Sequence, residues 1–131
     1  MAVVHSSMHK RKKSGGKKHP YRDKQKHELG NYSRNTRVGD KDIREHLRGY
    51  GGNYKVVLKK AATANVLMPD GTYKKAKIRT VKENPANRNY ARLNIITKGA
   101  IVDTDLGLIK VTSRPGQNGT LNGVLLEKPK E

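Results

Sequence analysis

Between Glu83 and Arg92 the chain reads ENPANRNYAR, and its polar residues are of the kinds that recognise RNA. The amides of Asn84, Asn87 and Asn89 can bond base edges and 2′-hydroxyls, the guanidinium forks of Arg88 and Arg92 fit phosphates, and the ring of Tyr90 can stack on a base. The competing reading is a turn-rich loop whose Asn side chains bond the nearby backbone. A second group lies on a segment with strand periodicity, Tyr73 to Val81. There strict alternation puts Ala76, Ile78 and Thr80 on one face and Tyr73, Lys75, Lys77 and Arg79 on the other, a basic stripe backed by core. The third is the run Met8 to Lys26, MHKRKKSGGKKHPYRDKQK, with nine Lys or Arg against one acid, Asp23. From it come the candidate contacts Lys10, Arg11, Lys12, Lys13, Lys17, Lys18, Tyr21 and Arg22, and Arg34, Arg37, Lys98 and Arg114 complete the cationic set.

Other constellations point to catalysis only weakly. Asp103 and Asp105 stand i,i+2 on a strand and share a face, as a metal-dependent nuclease would need, but only Glu83 is near in sequence to join them. His5 and His9 would suit a metal only on a helix, and the surrounding tail is not built to form one. Gly49-Tyr50-Gly51-Gly52-Asn53 resembles part of a nucleotide-binding loop, yet the Lys and Ser/Thr that complete such a loop are missing and no strand precedes it. A hinge or a close backbone approach to RNA suits those glycines better. No set of nucleophile, base and orienting group can be assembled. The expectation is therefore no catalytic residue, no metal, no cofactor and no small-molecule substrate.

A net charge of +18 on 131 residues makes a polyanion the expected partner. RNA, DNA and an anionic membrane surface compete for that role. A membrane-surface helix would set bulky apolar residues beside its cations, whereas the tail has no Phe or Trp and is broken by Gly15, Gly16 and Pro20. Nucleic acid is favoured over lipid. There is no cysteine, which fits a reducing compartment, and no apolar run approaches the roughly 20 residues that span a bilayer. A cytosolic protein, neither exported nor integral, is expected.

The elements that must position these groups lie mostly in the second half, since 13 apolar residues fall among the first 55 positions and 30 among the other 76. Residues 1 to 35 form a basic extension expected to be extended or disordered without a partner. Residues 36 to 53 form a transition in which Asp40 to Leu47 is predicted as a short helix capped by Asp40, with Ile43 and Leu47 as its apolar stripe. Residues 54 to 128 carry the strand signals: Tyr54 to Lys60 and Thr63 to Met68 (two strands or one bent strand), Tyr73 to Lys82, Ala91 to Thr97, Ala100 to Asp105, Leu108 to Ser113 and Thr120 to Glu127. Short connections bearing glycine imply hairpins, and closing the sheet removes exposed edges. An all-β fold is predicted: a small antiparallel β-barrel of about six strands with a long basic extended N-terminal tail.

Several stretches together resemble one family, the small-subunit ribosomal protein of archaea and eukaryotes numbered eight in the eukaryotic series. They are HKRKKSGGKK from His9, HELG from His27, NTRVG from Asn35, GGN from Gly51, ENPANRNYARLNIITKGAIV from Glu83 and VTSRPGQNG from Val111. The compact length is similar to the archaeal form. Two departures stand out: Met8 where members often carry Trp, and an unusually acidic Asp40 to Leu47. The resemblance implies a β-barrel with a basic extension, bound to small-subunit (16S-type) ribosomal RNA beside neighbouring small-subunit ribosomal proteins, in the cytoplasm and without catalytic activity. It also implies RNA contacts in the basic residues of HKRKKSGGKK and in the NPANRNYAR loop. A transient ribosome-assembly factor built on the same barrel is the alternative within this reading.

Overall fold

The computed structural model describes residues 3–4, 11–19 and 21–127, and these fall into two compact units, one running to Ser33 and one beginning at Arg34. Lys10, His5 and His9 lie outside the described residues. In the first unit β1 (Val3–Val4) pairs antiparallel with β2 (Leu29–Gly30). Arg11 bridges Lys17 across a turn closed by the N–H of Lys12 on the carbonyl of Gly16 (2.9 Å), with Gly15 at φ +84° and the Arg11 Nη1 donating to its carbonyl at 2.9 Å. A short 3-10 turn, Lys26–Glu28, follows. The extension therefore carries local polar order where the sequence suggested a plain extended chain. No residue in it whose exposure is described is buried.

The second unit is nearly all β. Five of its strands close into a barrel in the order β10 (Gly107–Val111), β11 (Asn122–Glu127), β6 (Thr63–Leu67), β7 (Tyr73–Glu83) and β9 (Ile101–Thr104). Four ladders are antiparallel. The fifth, β11 on β6, is parallel, since a closed ring of five strands cannot alternate direction throughout. A five-stranded barrel has a narrow interior, and small side chains fill it: Ala64, Val66, Ala76, Ile78, Ala100, Val102, Ile109 and Val111 are buried together with Leu58, Val81, Ile96 and Leu121. At Gly123 an added Cβ would come within 3.0 Å of the Lys110 carbonyl and 3.1 Å of Ile109 Cδ1. Each of the larger aliphatic groups contributes about 2 kcal/mol by leaving water.

A second sheet runs β4 (Ile43–Arg48), β5 (Tyr54–Ala61), β3 (Thr36–Val38), β8 (Ile95–Ile96). Between β5 and β6 the chain leaves this sheet for the barrel at Ala62, so the two strands are distinct and not one bent strand. Asp42 supports that crossing. Its Oδ1 accepts the N–H groups of Ala62 (2.7 Å) and Thr63 (3.2 Å), and its Oδ2 accepts the Thr63 hydroxyl (2.9 Å). Burial pushes this carboxyl up, but those bonds and the nearby Arg44 outweigh it and hold the pKa below the ordinary value.

Two local expectations are corrected. Asp40 to Leu47 is not a helix: Ile43–Arg48 is a strand hydrogen-bonded along its length to β5. A spacing of i,i+4 puts Ile43 and Leu47 on one face of a strand as well as of a helix, and pairing with β5 decides between them. Likewise the strand expected from Ala91 begins only at Ile95, because Arg88–Arg92 forms the short helix α1, capped by the Asn87 side chain on the Asn89 N–H at 2.9 Å. Asn94, at φ +52°, turns the chain out of α1. No helix among the described residues is long and apolar enough to cross a membrane.

Candidate nucleic-acid interface

The outer face of β7 carries Lys75, Lys77 and Arg79, all exposed, over buried Ala76 and Ile78. Beyond Ile78 the alternation breaks. A bulge opposite β9 leaves Thr80 exposed and turns Val81 inward, so Thr80 does not belong to the core face assigned to it by strict alternation. On the outer face Lys77 stands opposite Thr63 and Lys75 opposite Asn65, and Asn65 Nδ2 donates to Asn122 Oδ1 at 3.0 Å. Cations thus lie beside amides. Arg79, though exposed, is tied to Asp105, with Nε donating to Oδ1 at 2.9 Å. That bond also gives Asp105 a role other than metal binding, and no three His, Asp or Glu side chains gather among the described residues.

Within ENPANRNYAR the roles divide. Asn84 is 4 % exposed and does not face solvent: its Nδ2 donates to the Ile95 carbonyl (3.1 Å), and its Oδ1 accepts the Ala86 N–H (3.0 Å) and the Thr97 hydroxyl (2.9 Å). Its assignment as a contact residue is corrected to that of a clamp, because three internal bonds satisfy the buried amide. The clamp ties the loop to the turn Thr97 to Ala100, where Lys98 is exposed. Arg88, Asn89 and Arg92 are exposed on α1 or beside it, Asn87 is exposed at its cap, and Tyr90 is half-buried. Asn94 performs a similar internal duty, with its Oδ1 accepting the Val81 N–H at 3.2 Å.

On the second sheet Arg37 stands directly opposite Lys60, and both are exposed. A bulge between Ile43 and Arg44 leaves Lys59 without an opposite residue, so Lys59 and Lys60 are both at the surface. Gly39 accommodates the Lys60 stem: a Cβ there would lie 3.1 Å from its Cδ and 3.2 Å from its Cβ. Sequence reasoning missed these two lysines. The signal was present, since adjacent lysines in a strand otherwise half-buried violate alternation. Arg34 pairs with Glu45 at 3.0 Å.

Arg114 is exposed at the start of a loop that does more than turn. Its carbonyl accepts the N–H groups of Gln117 and Asn118, Pro115 is buried and accepts the Leu58 N–H at 3.0 Å, and Arg44 Nε donates to the Gly119 carbonyl at 2.7 Å. In the first unit Lys12, Lys13, Lys17, Lys18 and Tyr21 are exposed, as is Arg11 despite its bond to Gly15. Arg22 is engaged on Glu28 through both ends of its fork, at 2.8 and 3.1 Å, and also lies over the Tyr21 ring. The guanidinium, with help from the Gln25 N–H, holds the Glu28 carboxyl below its ordinary pKa.

Two comparisons bear on what this surface serves. The family model for ribosomal protein S8e matches residues 5–126. Similar proteins include the small ribosomal subunit protein eS8 of Hyperthermus butylicus, 50 % identical over all of this chain and 97 % of that protein. The eS8 proteins of Staphylothermus marinus (53 %) and Sulfolobus acidocaldarius (52 %) each match 90 % of this chain and 93 % of their own length. With a nearly all-β fold, a closed barrel and a match over almost its whole length, the chain belongs to the S8e family of ribosomal proteins.

Proposed function

We propose that this protein is a structural constituent of the small ribosomal subunit, located with the ribosome in the cytoplasm, that binds 16S-type ribosomal RNA and supports subunit assembly and translation. Its other partners are neighbouring small-subunit proteins, and neither a membrane nor a small molecule is required. The observation that carries this reading is the state of the cations. Among the described residues four ion pairs occur, every one through an arginine, and no lysine is paired. Arg37 and Lys60 even face each other across a ladder, an arrangement that costs stability until an anion lies between them. A surface of unpaired lysines, amides and exposed guanidinium groups suits a phosphate backbone with accessible base edges.

Mechanistically the second unit supplies a rigid surface: the β7 stripe, the α1 loop clamped by Asn84, the Arg37/Lys60 pair and Arg114. The extension up to Ser33 supplies further cations that neutralise phosphates, and the peptide link makes each of its contacts intramolecular once the folded part has docked. The barrel and the β4-β5-β3-β8 sheet, both in the unit that begins at Arg34, act together as the docking body. If about 8 phosphates are neutralised, log K falls by roughly 7 for a tenfold rise in salt.

The test is binding of the full chain to a small-subunit ribosomal RNA transcript over a salt series, with large-subunit RNA and duplex DNA as competitors. Preference for the small-subunit RNA with a steep slope is expected, and Lys60→Ala should lower the slope by about 1 without lowering the melting temperature. Equal affinity for DNA at about 0.2 M salt would overturn the RNA-specific reading.

A further inference from the structure

We propose that the tip of the β4–β5 hairpin is a stacking site for an unpaired RNA base, formed by the rings of Tyr50 and Tyr54 with Arg48 beside them; this rests on the RNA-binding reading above. Tyr50 is 81 % exposed and Tyr54 70 % exposed. Two aromatic rings so close in sequence, both left in water, contribute nothing to the core. Tyr54 stands directly opposite Arg48, so the ring and the guanidinium project from the same face at the end of the ladder.

The tip is closed by bonds of its own. The Gly49 N–H donates to the Asn53 carbonyl, and Asn53 Nδ2 donates to the Tyr50 carbonyl at 3.1 Å. Gly51 and Gly52 take φ +72° and +77°, values that a side chain would resist, and these let the chain reverse within the 3-10 turn Tyr50–Gly52. The backbone that presents Tyr50 is thereby held in a defined turn.

Charge selects the occupant. From Ile43 to Ala61 the hairpin holds Arg44, Arg48, Lys55, Lys59 and Lys60 against the single acid Glu45, which Arg34 already neutralises. A nucleotide offers both a flat π-face for tyrosine and a phosphate for arginine. An unpaired one is required, since bases stacked in an A-form helix have no free face.

The experiment uses the full chain and an archaeal small-subunit ribosomal RNA transcript, with wild type, Tyr50→Ala/Tyr54→Ala and Tyr50→Phe/Tyr54→Phe compared by binding and by chemical probing of unpaired nucleotides. The alanine pair should fold normally, as judged by its melting temperature. It should bind roughly tenfold more weakly with an unchanged salt slope, and should leave one or two unpaired nucleotides reactive that wild type protects. The phenylalanine pair should stay within about twofold of wild type. Alanine variants that bind and protect as wild type does, including variants that do so yet fail to enter reconstituted subunits, would overturn the stacking site and leave the RNA reading intact. A phenylalanine pair as weak as the alanine pair would overturn it in favour of hydroxyl contacts. If wild type itself shows no preference for this RNA, both readings fall together.

Discussion

Up to Ser33 the chain carries nine Lys or Arg beside two acids, and no residue there whose exposure is described is buried. From Arg34 onward twenty Lys or Arg stand around a core that includes Ile96, Val102, Ile109 and Val111 at 1 % exposure or less. The first region is ordered by exposed polar contacts such as Arg22 on Glu28, which each contribute little net stability in water. The second is ordered by burial. Similar cations are therefore held differently: in the first region no residue whose exposure is described is buried beneath them, and in the second the core fixes them relative to one another.

The sharpest way to break this comparison is to remove the first region. Deleting residues 1–33 should leave the melting temperature of the remainder within a few degrees, because no residue there whose exposure is described is buried. Binding to small-subunit ribosomal RNA should weaken by orders of magnitude at about 0.2 M salt. If about 6 of the nine cations meet phosphates, the salt slope should fall by roughly 5. An unchanged slope would show that the extension does not contact phosphate.

Next in size is the clamp. Asn84→Ala strands the Ile95 carbonyl, the Ala86 N–H and the Thr97 hydroxyl, and should cost about 2–3 kcal/mol in a urea melt. Affinity for RNA should fall too, through displacement of Arg88, Arg92 and Lys98. A stable variant with weakened binding would instead make Asn84 a direct contact, contrary to its burial.

Asp42 should show a smaller effect with a pH signature. Its folded pKa lies below the unfolded value of about 3.9, so its contribution is present above that value and is lost as pH falls through the folded pKa. Asp42→Asn should cost about 1 kcal/mol at pH 7 and should flatten the acid limb of a stability profile measured between pH 2 and 6. A variant whose profile parallels wild type would show that another carboxylate governs that limb.

Which of these features can be read from the sequence follows from their range. The all-β class and the barrel are legible because alternation and glycine turns are local, and Ala76 and Ile78 face inward as their spacing implies. The bulges at Ile78/Thr80 and Ile43/Arg44 are set by which strand lies opposite, so Thr80 and the exposed Lys59/Lys60 pair escape a single-strand reading. Asn84, Asn87 and Asn89 are chemically identical in the sequence. Only the approach of Ile95 and Thr97, eleven and thirteen residues on, makes the first of them internal. Asp42 was hidden for a related reason: as part of a supposed helix it had no link to Ala62 and Thr63, some twenty residues away.

The smallest effect concerns Arg79, a β7 cation fixed by a partner. Arg79 and Asp105 are both well exposed, at 62 % and 45 % of their side chains, so their 2.9 Å bond should contribute no more than about 0.5 kcal/mol to folding. Its consequence for binding is larger in kind than in size. While Asp105 holds Nε, it also cancels one positive charge on the face that Lys75 and Lys77 share with Arg79. Asp105→Asn should therefore leave stability nearly unchanged and raise RNA affinity about two- to threefold at low salt, a gain that shrinks as salt rises. The same replacement in an Arg79→Ala background separates two causes. A gain that persists there comes from removing repulsion between Asp105 and phosphate, whereas a gain that vanishes shows that Arg79, once released, reaches the RNA itself.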